Sequence, residues 1–441
     1  RHLHGTDGDH GPLPDDADLS REVADPRTLD RLAAEGVVFT NAYSNANSTG
    51  PSHSAMLTGL PPRDTGIIAN GRRLSDEAWT LAEVYRDAGY GTLAAVSALP
   101  VTHKMSGLGQ GFERFGLPAG VNVHGSPITL TQLLDWLPDY DGEPLFVWVH
   151  IYDAHMPYEL HPDFSVGMAE AAMPAAERKS VIEAGTDPEL NLAAYRTEIT
   201  FLDRELERIL GAPRMANAAV AFTSDHGEVL DKGLDEHFDH IGLSHATLAV
   251  PLILKAPGLE PGQRITKPVE TIDLGRTLLQ LTGHDMARFP GEDLLTVARE
   301  EDWARYAIES HGDTASVQQG KWLLNLRLRG KPTDDPSLPD GARHAVRLFD
   351  THADPECEVN LYEDQPRVAA ELRRMVIAWL QDAKPLDWSG AADLSKEELA
   401  AALSALGYIT SDSDEVSEGH VWFDTGCPCA WCAAFPAQGT P

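Results

Sequence analysis

The sequence predicts an α/β fold, a mainly parallel sheet flanked by helices, with a smaller α+β subdomain on its C-terminal side. Three observations carry this. Helical segments alternate with short apolar runs from residue 26 to about residue 300. Several of the runs are apolar without alternation, as strands covered on both faces are. Beyond residue 300 the texture changes to paired strands followed by one helix.

The elements follow in order. "PRTLDRLAAEG" (26–36) reads as a helix ending at glycine, and "VVFTNAYS" as the strand after it. "DEAWTLAEVYRDAGY" (76–90) is an amphipathic helix, and "GTLAAVS" (91–97) is a buried strand. "ITLTQLLDWL" (128–137) is helical, and "PLFVWVHIYD" (144–153) is a strand buried on both faces. "NLAAYRTEITFLDRELERIL" (191–210) is a long helix, and "AAVAFTSD" (218–225) is a further buried strand. "ARYAIES" and "KWLLNLRLR" read as antiparallel strands, and "RVAAELRRMVIAWLQDA" (367–383) as one amphipathic helix. The organisation expected is a catalytic α/β domain over 1–300, an α+β subdomain over 301–390 and a tail over 391–441, with a helix near 396–405.

Composition bounds the function. The chain has 441 residues, 42% of them hydrophobic and 23% charged, an ordinary balance for a globular protein. Its formal net charge of -33 repels nucleic acid phosphate, which argues against DNA or RNA as a partner. An anionic small molecule would need local positive charge or a metal. No apolar run approaches the ~20 residues of a membrane span. The chain holds four cysteines, and Cys427, Cys429 and Cys432 crowd into "CPCAWC". A lone CxxC is a weak metal or redox signal, and a disulfide or an incidental tail is the plainer reading.

Polar clusters follow the buried strands, where open α/β sheets bind ligands. "HIYDAHMPY" supplies His150, Asp153 and His155, and "TSDHGE" supplies Asp225, His226 and Glu228. "DEHFDHIGLSH" adds His237, His240 and His245. Carboxylate oxygen and imidazole nitrogen both bind divalent ions. Earlier, "ANSTGPSHSAMLTGL" (46–60) gathers hydroxyls at a helix start. Such a stretch caps a helix, or it presents a nucleophile.

These motifs together resemble the sulfatase branch of the alkaline phosphatase superfamily. "LDRLAAEGVVFTNAYS", "TGPSHSAMLTG", "TLAEVYRDAGY", "HIYDAHMPY", "YRTEITFLDREL", "TSDHGE" and "VPLILKAPG" occur in the family's order, over about residues 25–410 with the later "RLFDTHADPECEVNL" and "LSALGYI". The resemblance implies a metal-dependent hydrolase of phosphate or sulfate esters, acting by in-line transfer to Thr49 and then to water. Thr49 stands where the family carries the Cys or Ser that is oxidised to formylglycine, and His53 stands where it carries Arg. A threonine is not a substrate of that maturation, so phosphoesters and phosphodiesters are expected over sulfate. Thr49 and His53 are then the catalytic pair, His53 donating a hydrogen bond to the Thr49 oxygen, and the helix start points N–H groups at the anion.

Asp225, His226 and Thr49 become ligands of a divalent ion (calcium, zinc, manganese or magnesium). His155, His240 and Lys104 become substrate contacts, and Asp153 a candidate for a second metal. The resemblance further implies a strand ahead of Arg1 that ends in metal-ligating Asp. Either that strand is absent from this sequence, or Asp7 or Asp9 replaces its ligand. It implies a glycan, lipid or small-molecule anionic ester as substrate, and an extracytoplasmic location. Two alternatives stand beside it: a transferase passing the group to an alcohol, and a catalytically inactive binding module.

Overall fold

The computed structural model describes residues 27–117, 123–159, 161, 188–230, 240, 242–284, 289–297, 299–300, 302–328, 346–355, 357–384 and 386. Its N-terminal part runs α1 (Thr28–Glu35), β1 (Val37–Tyr43), α2 (Thr49–Thr58), α3 (Leu81–Asp87), β2 (Gly91–Val96), β3 (Arg114–Gly116), α4 (Ser126–Trp136) and β4 (Leu145–His150). It continues with α5 (Pro188–Leu210), β5 (Val220–Thr223), β6 (Ala249–Lys255), β7 (Gln263–Ile265), β8 (Val269–Glu270) and α6 (Leu274–Leu281). The C-terminal part contains β9 (Arg305–Ile308), β10 (Thr314–Gln319), β11 (Trp322–Arg327), β12 (Val346–Asp350) and α7 (Pro366–Gln381).

Local chemistry sets the boundaries. The first two N–H groups of α1 find no cap of their own; Leu29 and Thr28 donate instead to the Asp203 carboxylate on α5, at 2.7 and 3.0 Å. That bond docks α1 on α5. The helix expected from residue 76 starts later. A capping box at Thr80 and Glu83 fixes the start of α3, and the Ser75 carbonyl accepts from Ala78 in a turn just before it.

Two sheets lie side by side. One is parallel throughout, in the order β3-β2-β4. The other runs β5-β6-β1-β7, with β8 also on β1. β7 and β8 lie parallel to β1, whereas β6 is antiparallel to both β1 and β5. The reversal has a simple cause. β5 ends at the polar cluster, and the chain re-enters the sheet at Ala249 directly after the short helix His245–Leu248 beside the same cluster, so β6 must run back. The core lies on both faces. Val38, Leu93, Ala95 and Ile253 pack under Leu29, Leu32, Leu130, Leu133 and Leu206, while Val37, Phe39, Leu252 and Leu254 pack toward Leu274.

The C-terminal strands form an antiparallel sheet in the order β12-β11-β10-β9. The apolar stripe of α7 (Leu372, Val376, Ile377, Leu380) covers it, and Trp379 stacks on Tyr306. The tail over 391–441, its helix near 396–405 and Cys427, Cys429 and Cys432 lie outside the described residues, as do Asp7, Asp9 and His237. No helix among the described residues is long and apolar enough to cross a membrane.

A buried polar network joins this sheet to the first part. Asn45 donates to Glu270 Oε1 at 2.8 Å and to the Tyr306 carbonyl at 3.2 Å, and its own carbonyl accepts from Ile308 N. Burial, then the Asp273 carboxylate, pushes Glu270 up to about 7 against the pull of Arg299 and Arg305. Its ordinary value is 4.5, so its contribution to stability is full below that pH and is lost as pH rises through about 7. Glu270→Gln keeps the acceptor for Asn45 and removes the titration. Urea unfolding at pH 5 and pH 8 should show the variant gaining on wild type at the higher pH by on the order of 2 kcal/mol. A constant difference across that range would refute the assignment.

Candidate active site

The site sits at the carboxyl ends of β4 and β5, and α2 closes it. Every residue of α2 is buried. Thr49 is its first residue, and Ser48 precedes it with no side-chain cap. Gly50 N donates to Asn70 Oδ1 at 2.7 Å, Pro51 has no N–H, and Ser52 N is bonded to Ser48 O. The helix start therefore cannot present a fan of N–H groups to an anion as expected.

Asp225 follows β5 in a tight turn. Ser52 Oγ donates to the Asp225 carbonyl at 2.6 Å and meets Ser44 Oγ at 3.0 Å, which binds α2 to the end of β1 and to this turn. Gly227 is required here by close approach: a Cβ would lie 2.0 Å from the Ala246 carbonyl oxygen.

The Asp225 carboxylate is surrounded by rings. Oδ2 lies 3.5 Å from His53 Nδ1 and 3.5 Å from His226 Nε2, and Oδ1 accepts from His226 N at 3.0 Å. Burial alone would raise this carboxyl. The imidazoles of His226, His53 and His150, with the His226 N–H, outweigh burial and hold it well below the usual range, so it is ionised. The rings respond oppositely. Burial lowers His53 and His155, and it takes His150 down to about 3, so these imidazoles are neutral near pH 7.

Carbonyl partners fix the tautomers, because a carbonyl can only accept. His53 Nδ1–H donates to Thr49 O at 2.8 Å, His226 Nδ1–H to Gly227 O at 2.9 Å and His155 Nδ1–H to Met156 O at 2.6 Å. In the neutral rings of His53 and His155 the lone pair is then on Nε2. The His53 bond corrects an expectation: the oxygen it reaches is the main-chain oxygen of Thr49, not the hydroxyl. His53 lies four residues along the same helix, where a ring folds back onto its own preceding turn.

The remaining contacts continue from there. His226 and His240 have ring centroids 4.5 Å apart, and His240 and His155 5.4 Å. His155 stacks on Tyr152 at 4.2 Å. Glu228 lies 3.8 Å from His240 Nδ1 and accepts from the Tyr158 hydroxyl at 2.9 Å. Asn47 donates to the His240 carbonyl at 2.6 Å. Thr49, His53, Asp225, His226, His240 and His155 thus form one continuous set of neighbours.

Other expected residues stand elsewhere. Lys104 is exposed on the short helix His103–Ser106, and no contact among the described residues joins it to the set. Asp153 accepts three bonds from Ser126, two from N at 2.9 and 3.0 Å and one from Oγ at 2.6 Å. It caps α4 and has little left for a second metal. His245 sits edge-on to Tyr43, behind the turn. His150 had been assigned no role, yet its ring lies 5.0 Å from His53. The signal was the period of two along β4, which puts His150 on the same face as Trp148, another neighbour of His53.

Members of the sulfatase family generally work with a divalent ion. The donors here fit such an ion in kind: an ionised carboxylate oxygen and an imidazole Nε2 converge at 3.5 Å. They fall short in number. Among the described residues no three His, Cys, Asp or Glu side chains come together as a metal site.

The sulfatase family model matches residues 15–284. A curated sulfatase of Formosa agariphila is 26% identical over 370 residues, covering 64% of this chain and 70% of that one. A solved structure in complex with its substrate D-glucosamine-2-N,6-O-disulfate aligns with a TM-score of 0.63 at 17% identity, over 80% of this chain and 92% of that one. The phosphonate monoester hydrolase from Silicibacter pomeroyi aligns with a TM-score of 0.57 at 19% identity, over 82% and 92%.

Ser52 is the joint on which this geometry rests. Ser52→Ala leaves the part-buried Asp225 carbonyl short of a partner, while the Ser44 hydroxyl keeps its bonds to Ala46, so it should cost about 1–3 kcal/mol in chemical denaturation. A change below ~0.5 kcal/mol would show that the joint is not needed.

Proposed function

The chain belongs to the sulfatase family, and from that premise we propose that it transfers an anionic ester group in line to Thr49 and then to water, with phosphate esters preferred over sulfate esters. The hydrolase class itself, acting on ester bonds, follows from the family. Thr49 carries the finer reading: a threonine at the position where the family presents its nucleophile, buried at the head of α2 and one turn from His53.

In the first step the Thr49 Oγ1–phosphorus bond forms as the bond to the alcohol oxygen breaks. The Thr49 proton passes to a base, and the departing alcohol takes up a proton. Water then attacks phosphorus, releasing phosphate and restoring the hydroxyl. We assign the base to His53. Its Nδ1–H is committed to Thr49 O, so the proton it accepts goes on Nε2, and Asp225 Oδ2 at 3.5 Å stabilises the resulting charge. To His155 and His240 we assign the substrate contacts. Asp225 and His226 would hold the family's divalent ion, which when bound lowers the pKa of a coordinated hydroxyl.

The preference follows from nucleophile strength. A sulfate ester demands a potent nucleophile, and an unmodified threonine hydroxyl is a poor one. The activities for which the relatives are named favour the opposite order, so matched aryl esters decide it. We expect kcat/KM for a 4-nitrophenyl phosphate ester or diester to exceed that for 4-nitrophenyl sulfate, and a clear sulfate preference would overturn the reading. Thr49→Ala should lose at least ~10³-fold in kcat, and Thr49→Ser should retain part of it. Equal turnover by Thr49→Ala would remove Thr49 from the chemistry.

A further inference from the structure

The C-terminal sheet has two faces, and the period of two along each strand sorts its side chains between them. Tyr306 of β9, Val317 of β10, Leu324 of β11 and Leu348 of β12 pair in register under α7. Arg305 and Gln318, paired with each other one residue along, therefore share the opposite face, which turns to the first part of the chain. Asn325 on that face reaches the Leu243 carbonyl at 2.8 Å. Arg305 is 6% exposed and Gln318 5%.

A buried guanidinium ordinarily faces a carboxylate. Arg299 does so, with Nη1 2.6 Å from Asp273 Oδ2. Arg305 does not. Its Cζ lies 3.5 Å from the centre of the Tyr43 ring and its Nε is buried without a partner. Among the described residues no hydrogen bond or ion pair reaches the rest of the guanidinium. Glu270, the carboxylate whose charge acts on it, is held by Asn45 instead. An aromatic ring meets a guanidinium on its face and recovers only part of what the ion loses on leaving water. The N–H groups lie in the guanidinium plane and stay available. Gln318 adds one more. Its Nε2 donates to Thr351 Oγ1 at 3.3 Å, Thr351 Oγ1 donates on to the Lys321 carbonyl at 3.0 Å, and the second amide N–H is left over. A cavity reaches this point: Tyr43, Thr266, Arg305, Gln318 and Thr351 are among its walls. No aspartate or glutamate of β1, β8, β9 or β10 lines it among the described residues.

We propose that Arg305 anchors a second anion site, separate from the one at Thr49, which takes a small tetrahedral oxyanion, phosphate or sulfate. Two of the ion's oxygens meet the edge of the guanidinium, and another meets the remaining N–H of Gln318 on the adjacent strand. Donors from two strands suit an ion whose oxygens are not coplanar, which favours phosphate or sulfate over a planar carboxylate. The place gives the site a consequence. Tyr43 leads into Asn45, which binds Glu270 and the Tyr306 carbonyl, so an ion held here braces the segment that runs on to Thr49. The inference stands apart from the identity of the substrate and from the role of Thr49.

The test follows the Arg305 Nε–H signal in nuclear magnetic resonance spectra of the isotope-labelled chain, identified by its loss in Arg305→Lys and Arg305→Met. In chloride buffer the signal should shift on addition of inorganic phosphate or sulfate and saturate, with a midpoint of about 1 mM or below. Gln318→Leu should raise that midpoint at least threefold. A signal that never saturates, or one that Gln318→Leu leaves at the wild-type midpoint, overturns the proposal. Glycerol phosphate run beside the ions separates two sources: saturation by the ions alone assigns a free ion, and saturation by all three assigns the same oxyanion carried on an ester. Thermal unfolding separates the site from packing on Tyr43. Phosphate should raise the Tm of Arg305→Met less than it raises that of the wild type. A deficit in Arg305→Met that is the same with and without phosphate would assign Arg305 to packing alone and overturn the proposal as well.

Discussion

A single half-buried charge organises this molecule. The Asp225 carboxylate is ionised although it is largely removed from water, a state that is costly unless polar groups face it. Those groups come from three different elements: His53 from α2, His150 from β4, and His226 from the turn after β5. Satisfying one carboxylate therefore fixes a helix and two strand ends relative to one another. The Ser52 hydroxyl ties α2 to the same turn at the Asp225 carbonyl and to the end of β1 at Ser44 Oγ. Loss of the α2 position would leave the charge facing fewer dipoles, so site geometry and local stability are coupled.

That coupling reaches the C-terminal sheet. The loop between β1 and α2 is braced by Asn45, bonded to Glu270 and Tyr306, and by Asn47, whose side-chain Oδ1 accepts from Ser310 N while its Nδ2 donates to the His240 carbonyl. The antiparallel sheet is thus tied directly to the segment that presents Thr49. Its contribution is rigidity, since a buried polar network tolerates one arrangement and penalises others.

Much of this was legible in the residues. Uninterrupted apolar runs located β2, β4 and β5, and the polar groups after β4 and β5 converge because both strands end at one edge. Other features depend on contacts that no local pattern encodes. Asp153 was read as a possible ligand, but it is used by Ser126, 27 residues earlier, as the cap of α4. The start of α3 was misplaced because Ser75 and Thr80 both suit a cap, and only Thr80 gains the reciprocal bond from Glu83. The hydrogen bond of His53 was placed on the wrong oxygen of the right residue, since spacing gives the partner turn and not the atom. The direction of β6 follows from where its connection lies, which the run "VPLILK" does not state.

The charge balance of the site sets a condition on whatever it binds. The chain carries a net charge of -33, and the rings of His53, His150 and His155 are neutral when the site is empty of anion. The first turn of α2 has its Gly50 amide occupied by Asn70, so the helix offers little compensation. An anion entering here meets an ionised carboxylate and neutral rings whose N–H groups are committed to carbonyls, with no fixed cation beside them among the described contacts. Positive charge must then arrive together with the anion, as a proton taken up on an imidazole Nε2 or as a cation held at Asp225. Each route makes binding cooperative: the anion raises the affinity of the site for the positive charge by the same factor that the charge raises its affinity for the anion. A monoanion needs one such partner where a dianion needs two. On the phosphate-ester reading proposed above, the singly charged diester asks less of the site than the doubly charged monoester.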